Sequence, residues 1–394
     1  MRKFLVSLAV ICGLLSANAA SAQVGPLDAR NNLADVANSP LSLLNLGGAA
    51  LFGTGVDGTL ACGSFISLVR DMQYSALTLN AGCSIATNGF RIFVSGLCDF
   101  STATAGAIED DGFPGNNASG TTPGAGTYTS PGAANSQSLP YPYQAGAAGG
   151  TPTTGTGGAG VNGVAVNALG GSGSQSGGAG GAGTPGAGGA AGPHDAAVLF
   201  GSVVNAQGYF GPWFTSGGVP LRPGNSGSGG GAGGGDGTNL GGGGGGGAYG
   251  GQFVVVACRT LFTGTNTHVG IFQAVGTPGG NGGTPTVGNV GGGGAGSASG
   301  GGFVSIVAGT RTGSAMSAAI DVSGGKGGNG GNGVGTGLGG QGTSGGFGGR
   351  WQVTIIYPPA QTSNFTSAAG AAPTAPSGIT GGVGGAGAIT QGGI

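Results

Sequence analysis

Gly250-Gly251-Gln252-Phe253-Val254-Val255-Val256-Ala257, Gly301-Gly302-Phe303-Val304-Ser305-Ile306-Val307-Ala308 and Gly348-Gly349-Arg350-Trp351-Gln352-Val353-Thr354-Ile355-Ile356-Tyr357 are three versions of one phrase. Each is a glycine pair followed by a β-branched and aromatic run, which reads as a buried strand. A turn-rich stretch follows the first two (Thr263 to Thr267, Thr310 to Ser314), then a short apolar word, Ile271 to Val275 or Ala319 to Val322. A glycine tract completes the unit, with Gly279-Gly280-Asn281-Gly282-Gly283 in one copy and Gly327-Gly328-Asn329-Gly330-Gly331 in the next. The period is about fifty residues, the mark of a stacked array. The third copy stops at Pro358-Pro359, where two prolines end a ladder.

Working outward, the N-terminal part carries the same grammar. Leu77-Thr78-Leu79, Cys83-Ser84-Ile85 and Phe90-Arg91-Ile92-Phe93-Val94 read as short strands joined by Asn/Gly turns. Apolar residues alternate at Leu77/Leu79 and at Phe90/Ile92/Val94, so one face is buried. The fold class expected is all-β: a β-solenoid of short strands with interleaved polyglycine-II-like layers. Tracts such as Gly177-Gly178-Ala179-Gly180-Gly181-Ala182 cannot make a good helix, because each glycine costs roughly 1 kcal/mol relative to alanine. They fit a polyproline-II-like strand with three residues per turn, or else solvated loops on the solenoid.

The chain opens with a secretory signal over residues 1–22. Arg2 and Lys3 form its basic end, Phe4 to Leu15 its apolar stretch, and Ala20-Ser21-Ala22 a cleavage site before Gln23. The stretch is too short to span a bilayer, and bulky Ile11 before Cys12 speaks against a lipoprotein. The expected organisation is signal peptide 1–22, β-solenoid segment 23–105, Gly/Ala/Ser/Thr-rich region 106–250, strand-repeat region 251–359 and a mobile tail 360–394. The localisation expected is secreted or cell-surface, by bacterial export, with no integral membrane segment after processing.

Composition excludes most ordinary functions. Loss of Arg2 and Lys3 takes the 10 Lys and Arg to 8 against 11 Asp and Glu, a net charge of −3. Nucleic acid binding needs clustered Lys and Arg, and this chain has none. Its only glutamate is Glu109 and its only histidines are His194 and His268. General acid–base chemistry has little to draw on, so no catalytic residue, cofactor or enzyme activity is expected.

Four cysteines survive processing, allowing three pairings. Cys62, Cys83 and Cys98 lie about one solenoid turn apart, so one bridge among them with Cys258 free and buried is expected. No Cys-x-x-Cys pair supports zinc. Glu109-Asp110-Asp111 is the one acidic cluster. It reads as a solvated loop at the end of a rung, or as a calcium site completed by Asn116 and Asn117, or as the carboxylates of a polysaccharide-cleaving enzyme. Tyr141, Tyr143, Tyr209, Phe210, Trp213 and Phe214 sit in Pro/Gly loops. They suit stacking on sugars or anchoring a protein partner, or equally a hydrophobic plug between solenoid and glycine layer.

The phrase Tyr74 to Val94, followed by long glycine tracts and Gly-Gly-strand units, resembles a broad group of glycine-rich β-solenoid proteins of tailed-phage tail fibres and bacterial surfaces. The glycine sandwich is similar to phage tail-tip adhesins, in which packed polyglycine-II helices support receptor-binding loops. The resemblance covers residues 60–357 and departs in the secretory signal, which phage virion proteins lack. The glycine tracts also resemble the tails of mycobacterial surface proteins, without that family's helical head. The resemblance implies a structural or adhesive protein that presents loops to a surface glycan, matrix or polymer. Alternatives are a carbohydrate-active β-helix enzyme, a phage receptor-binding tip, and an ice-binding protein with a flat Gly/Ala/Thr face.

Overall fold

The computed structural model describes residues 51–126, 146–157, 177–192, 224, 226–314, 319–356 and 360–364. The chain divides into two units after Gly48, and all of these residues belong to the unit that begins at Ala49. Residues 1–22, expected to be a signal peptide, the aromatic candidates at 141–143 and 209–214, and the residues beyond 364 lie outside the described residues.

Every named element is a strand. One sheet contains β1 (Thr59–Cys62), β4 (Ala76–Leu79), β6 (Arg91–Asp99), β8 (Phe253–Phe262), β10 (Phe303–Thr312), β12 (Arg350–Ile355) and β13 (Ala360–Asn364) in that spatial order, with β3 (Met72–Tyr74) also on β6. The second runs β2 (Phe65–Ser67), β5 (Ser84–Ala86), β7 (Ile108–Glu109), β9 (Phe272–Gln273) and β11 (Ile320–Asp321). Pairings are parallel throughout except between β12 and β13. The chain crosses repeatedly from the first sheet to the second. The architecture is all-β, with parallel strands in two sheets. Among the described residues no helix is long and apolar enough to cross a membrane.

Register follows the repeated phrase. Phe303 pairs with Phe253 and Arg350, so the glycine-flanked words stack residue on residue. Alternation then sends Val254, Val256, Val304, Ile306, Trp351 and Val353 into one core. That core is closed from the other side by Ile85, Ile108, Phe272 and Ile320, one residue from each of four strands of the second sheet. Each such side chain contributes roughly 1.5–3 kcal/mol by leaving water. The opposite face of β8 and β10 is buried as well, at Phe253, Val255, Phe303 and Val307. This explains why these words are continuous apolar runs while those at 77–94 alternate. β6 shifts register between Val94 and Leu97. Gly96 lies within that shift, and a Cβ there would meet the Ser75 carbonyl at 2.4 Å.

Two disulfides fasten this core. Cys62 joins Cys83 across 21 residues, with 5.3 Å between Cα atoms. Cys98 joins Cys258 across 160 residues, at 6.0 Å. Cys258, expected to be free, is thus paired, because β6 lies directly beside β8 and brings the two cysteines to neighbouring strands. Spacing along the chain carried no hint of a contact that the sheet makes across an insertion.

The glycine tracts are ordered by their own backbones. Gly293, Gly296, Ser299 and Gly302 donate to Gly283, Gly280, Thr277 and Ala274, so tract 290–302 runs antiparallel to tract 274–283. Gly340, Thr343, Gly346 and Gly349 bond Gly331, Gly328, Gly325 and Val322 in the same way. Gly293, Gly294 and Ala295 donate in turn to Gly283, Gly231 and Gln341, which belong to three different tracts. The bonding period is therefore three residues. Buried serines fit because their hydroxyls find carbonyls: Ser299 Oγ donates to Tyr249 O at 2.8 Å. The first residues of the segment read as a tail, Ala360–Asn364, form β13 on the edge of β12.

Two measurements test this packing. A Cβ on Gly280 would lie 2.1 Å from the Asn116 carbonyl, whereas one on Gly155 meets nothing within 4 Å. Gly280→Val is expected to lower stability by roughly 3 kcal/mol or more, the upper end of over-packing costs. Gly155→Val should leave the thermal midpoint close to that of the parent protein. Equal midpoints would show that the tracts are not packed. In the second, paired Cys→Ser replacement is read by chemical denaturation. Removing Cys62–Cys83 should cost roughly 3 kcal/mol and removing Cys98–Cys258 roughly 5 kcal/mol, from the loops they close.

Candidate functional site

The glycine tracts run out from the strands, turn, and return, and their turns are hydrogen-bonded to one another. The turn at 236–239 is organised by Asp236. Its Oδ1 accepts the backbone N–H groups of Asn239 at 2.7 Å and Thr238 at 3.0 Å. Its Oδ2 accepts the backbone N–H of Asn289, at 2.9 Å, from the next turn. These bonds to Asn239, Asn289 and Thr238 hold the Asp236 carboxyl far below the usual range. The group is fully engaged as an internal fastener.

Asn289 passes the connection on. Its Oδ1 accepts Thr336 N–H at 3.2 Å, and its carbonyl accepts Thr184 N–H at 2.9 Å. The hydroxyls of Thr184 and Thr336 lie 3.1 Å apart, and Gly237 donates to the Thr154 carbonyl at 2.6 Å. Five turns, from five tracts, are thereby linked, through the side chains of Asp236 and Asn289 and through backbone bonds of Asn289 and Gly237. The backbone ladder can no longer serve residues that leave the three-residue period, so Asp and Asn side chains satisfy them instead. Toward solvent this surface shows Thr184, Thr238 and Thr336 with the isolated aliphatics Leu240, Val287 and Leu338. Val287 is 59% exposed and Leu338 51%, which is unusual in a chain with so few large side chains.

None of these residues was a sequence candidate. The signal available was that each glycine tract breaks midway at a short Asp, Asn, Thr or Val word, as in Asp236-Gly237-Thr238-Asn239-Leu240. The aromatic candidates Tyr141, Tyr143, Tyr209, Phe210, Trp213 and Phe214 lie outside the described residues.

The acidic cluster belongs to the junction between sheet and glycine layer, and the structure corrects its reading as a solvated loop. Glu109 ends β7 and accepts the Ser84 hydroxyl at 2.8 Å. Asp110 accepts the Gly89 N–H at 2.7 Å, fixing the corner where Asn88 and Gly89 both have positive φ. Asp111 accepts Val275 N–H at 2.8 Å. The three carboxyls thus serve three different elements. Among the described residues no group of three or more His, Cys, Asp or Glu is placed to hold a metal ion, and Asn117 is used to accept Asn281 N–H at 2.8 Å. Both aspartates retain part of their surface, but surrounding protein strips solvent from the carboxyls. Desolvation pushes Asp110 up to about 8 against the opposing Gly89 N–H. It pushes Asp111 up to about 7, with Glu109 and Asp321 adding repulsion.

Comparison with known proteins yields no match to a family model, a curated protein or a solved structure.

The junction makes stability depend on pH. Both aspartates titrate higher folded than unfolded, so between about pH 4, the ordinary carboxylate range, and pH 7–8 the folded state holds more protons. Stability is therefore expected to fall as pH rises through that window and to level off above it. Asp110→Asn and Asp111→Asn should each flatten the fall, as read by thermal midpoints at pH 5 and pH 8. A midpoint rising over this range in the parent protein would contradict the assignment.

Proposed function

We propose that the chain is a secreted, non-enzymatic structural or adhesive protein. It is a β-solenoid carrying polyglycine-II-like layers, and it presents the turns at the ends of those layers to a surface glycan or an extracellular polymer. The observation that carries the reading is the linkage of five turns through Asp236 and Asn289. Such a surface is preorganised, so contacts made on it lose little ordering entropy. Hydroxyls and amides beside single aliphatics suit a neutral polyhydroxylated ligand, whose rings offer both polar edges and apolar faces. The two disulfides agree with an oxidising, extracellular compartment. The period-three bonding supports the polyglycine-II description.

The test is retention of the purified protein on bacterial cells and on their extracellular polysaccharide. Thr336→Arg and Val287→Arg place a charged bulk on the turns and are expected to weaken retention at least tenfold, about 1.4 kcal/mol, with unchanged thermal midpoints. Val69→Arg, at a residue 78% exposed in the loop after β2, should retain like the parent. Retention insensitive to both turn variants, or absent in the parent, would overturn the proposal.

A further inference from the structure

One edge of the glycine layer is unfinished. Gly112, Gly115 and Ala118 donate to the carbonyls of Val275, Pro278 and Asn281. Gly276, Gly279 and Gly282 donate in turn to Ser323, Lys326 and Asn329. The step of 48 residues that relates Asn281 to Asn329 carries these last three donors onto Gly324, Gly327 and Gly330. Among the described residues the N–H groups of those three glycines have no acceptor. Gly327 is nonetheless buried, and Gly324 and Gly330 are half-buried. Buried backbone donors are almost always paired, and a row of open donors is a template for one more strand.

The sequence contains a segment with matching spacing. Thr380-Gly381-Gly382-Val383-Gly384-Gly385-Ala386-Gly387 repeats the pattern of Ser323-Gly324-Gly325-Lys326-Gly327-Gly328-Asn329-Gly330. In the three stacked tracts the side-chain-bearing positions, Pro114, Pro278 and Lys326 and then Asn117, Asn281 and Asn329, are exposed. Val383 and Ala386 fall on those positions, and glycine occupies both intervening places each time. Ile379 also precedes its tract by the short apolar step seen at Val322. The segment follows β13, which pairs with β12, the C-terminal repeat strand of its sheet, as tract 322–333 is the C-terminal tract of its layer.

We propose that Thr380–Gly387 docks on this edge as the next tract, with Gly324, Gly327 and Gly330 donating to the carbonyls of Thr380, Val383 and Ala386. The steric requirement follows from the preceding layer. A Cβ on Gly325 would lie 1.9 Å from the Thr277 carbonyl, and one on Gly328 would lie 2.4 Å from that of Gly280. Moved up one layer, Gly382 and Gly385 face the carbonyls of Gly325 and Gly328. Gly381 takes the place of Gly324, whose close neighbour is Gly346 on the returning tract. Moved up one layer, the Cβ direction of Gly381 therefore points away from the 324–330 edge.

The experiment is amide hydrogen exchange on the full chain. The 323–331 amides are expected to be protected in the parent. Gly382→Val combined with Gly385→Val should speed their exchange about tenfold, while Gly381→Val leaves it unchanged. The 253–258 amides of β8 serve as the reference and should stay protected in all three proteins. Unchanged exchange at 323–331 in the double variant overturns the proposal. As a second reading, Asn329→Cys with Ala386→Cys should close a disulfide within one chain, and Asn329→Cys with Val383→Cys, one turn out of register, should not. A bridge formed only between two chains would assign the edge to a second copy and overturn the proposal equally.

Discussion

The missing Cβ of glycine is what the structure depends on. In the tracts a Cβ would repeatedly fall about 2 Å from a neighbouring carbonyl, as at Gly293 against Gly243 and at Gly294 against Gly178. A backbone can come that close to a neighbouring carbonyl only where its own Cβ is missing. Ordering a glycine costs more entropy than ordering any other residue, so such a tract has no reason to be rigid alone. What offsets the cost is bonding on all sides. Successive N–H groups reach three different neighbours, and close packing adds dispersion contacts that a solvated loop would lack. The arrangement is cooperative in the strict sense, since each tract is stable only inside the bundle.

A bundle of nearly featureless tracts could slide, and the two sheets prevent it. Phe253 is paired to Phe303 and Phe272 to Ile320, so each outgoing and returning tract starts from a strand whose register is fixed by large side chains. The tract offset then follows: Gly279 reaches Lys326 because Phe272 has already been set against Ile320. Cys98–Cys258 extends the same control across the long insertion between β7 and β8, tying the N-terminal strands to the repeats. Large apolar residues supply position, and glycine supplies density.

The sequence was legible where a chemical contrast marked it. The strand words at 77–94, 252–257, 303–308 and 350–355 stand out against glycine, and their spacing announced a stacked array, whose pairing the structure makes parallel. What stayed hidden depended on contacts between distant segments. Cys258 carries no local sign of its partner, and Asp110 looks like any surface acid until Gly89 is placed beside it. The turn surface was hidden for a different reason. Asp236, Asn289 and Thr336 are ordinary turn residues one at a time, and only the packing of their tracts brings them together.

That contrast also locates where this scaffold can vary. Inside the layers a Cβ at most of the glycines would collide with a carbonyl, and the buried side chains present are small, as at Ala232, Ala295, Ser297 and Thr343, so sequence change is narrowly limited there. At X positions such as Lys326 and Asn329 a side chain points outward, but it must leave the backbone in the three-residue period. Only at the turns does the chain leave that period, and there Asp236 and Asn289 bond backbone groups that the ladder cannot reach. Exposed side chains beside those fasteners, such as Thr238, Leu240 and Val287, are outside both the packing and the period. A surface able to change its chemistry without disturbing the fold is therefore most readily built from these turns, which the tracts bring together and Asp236 and Asn289 join.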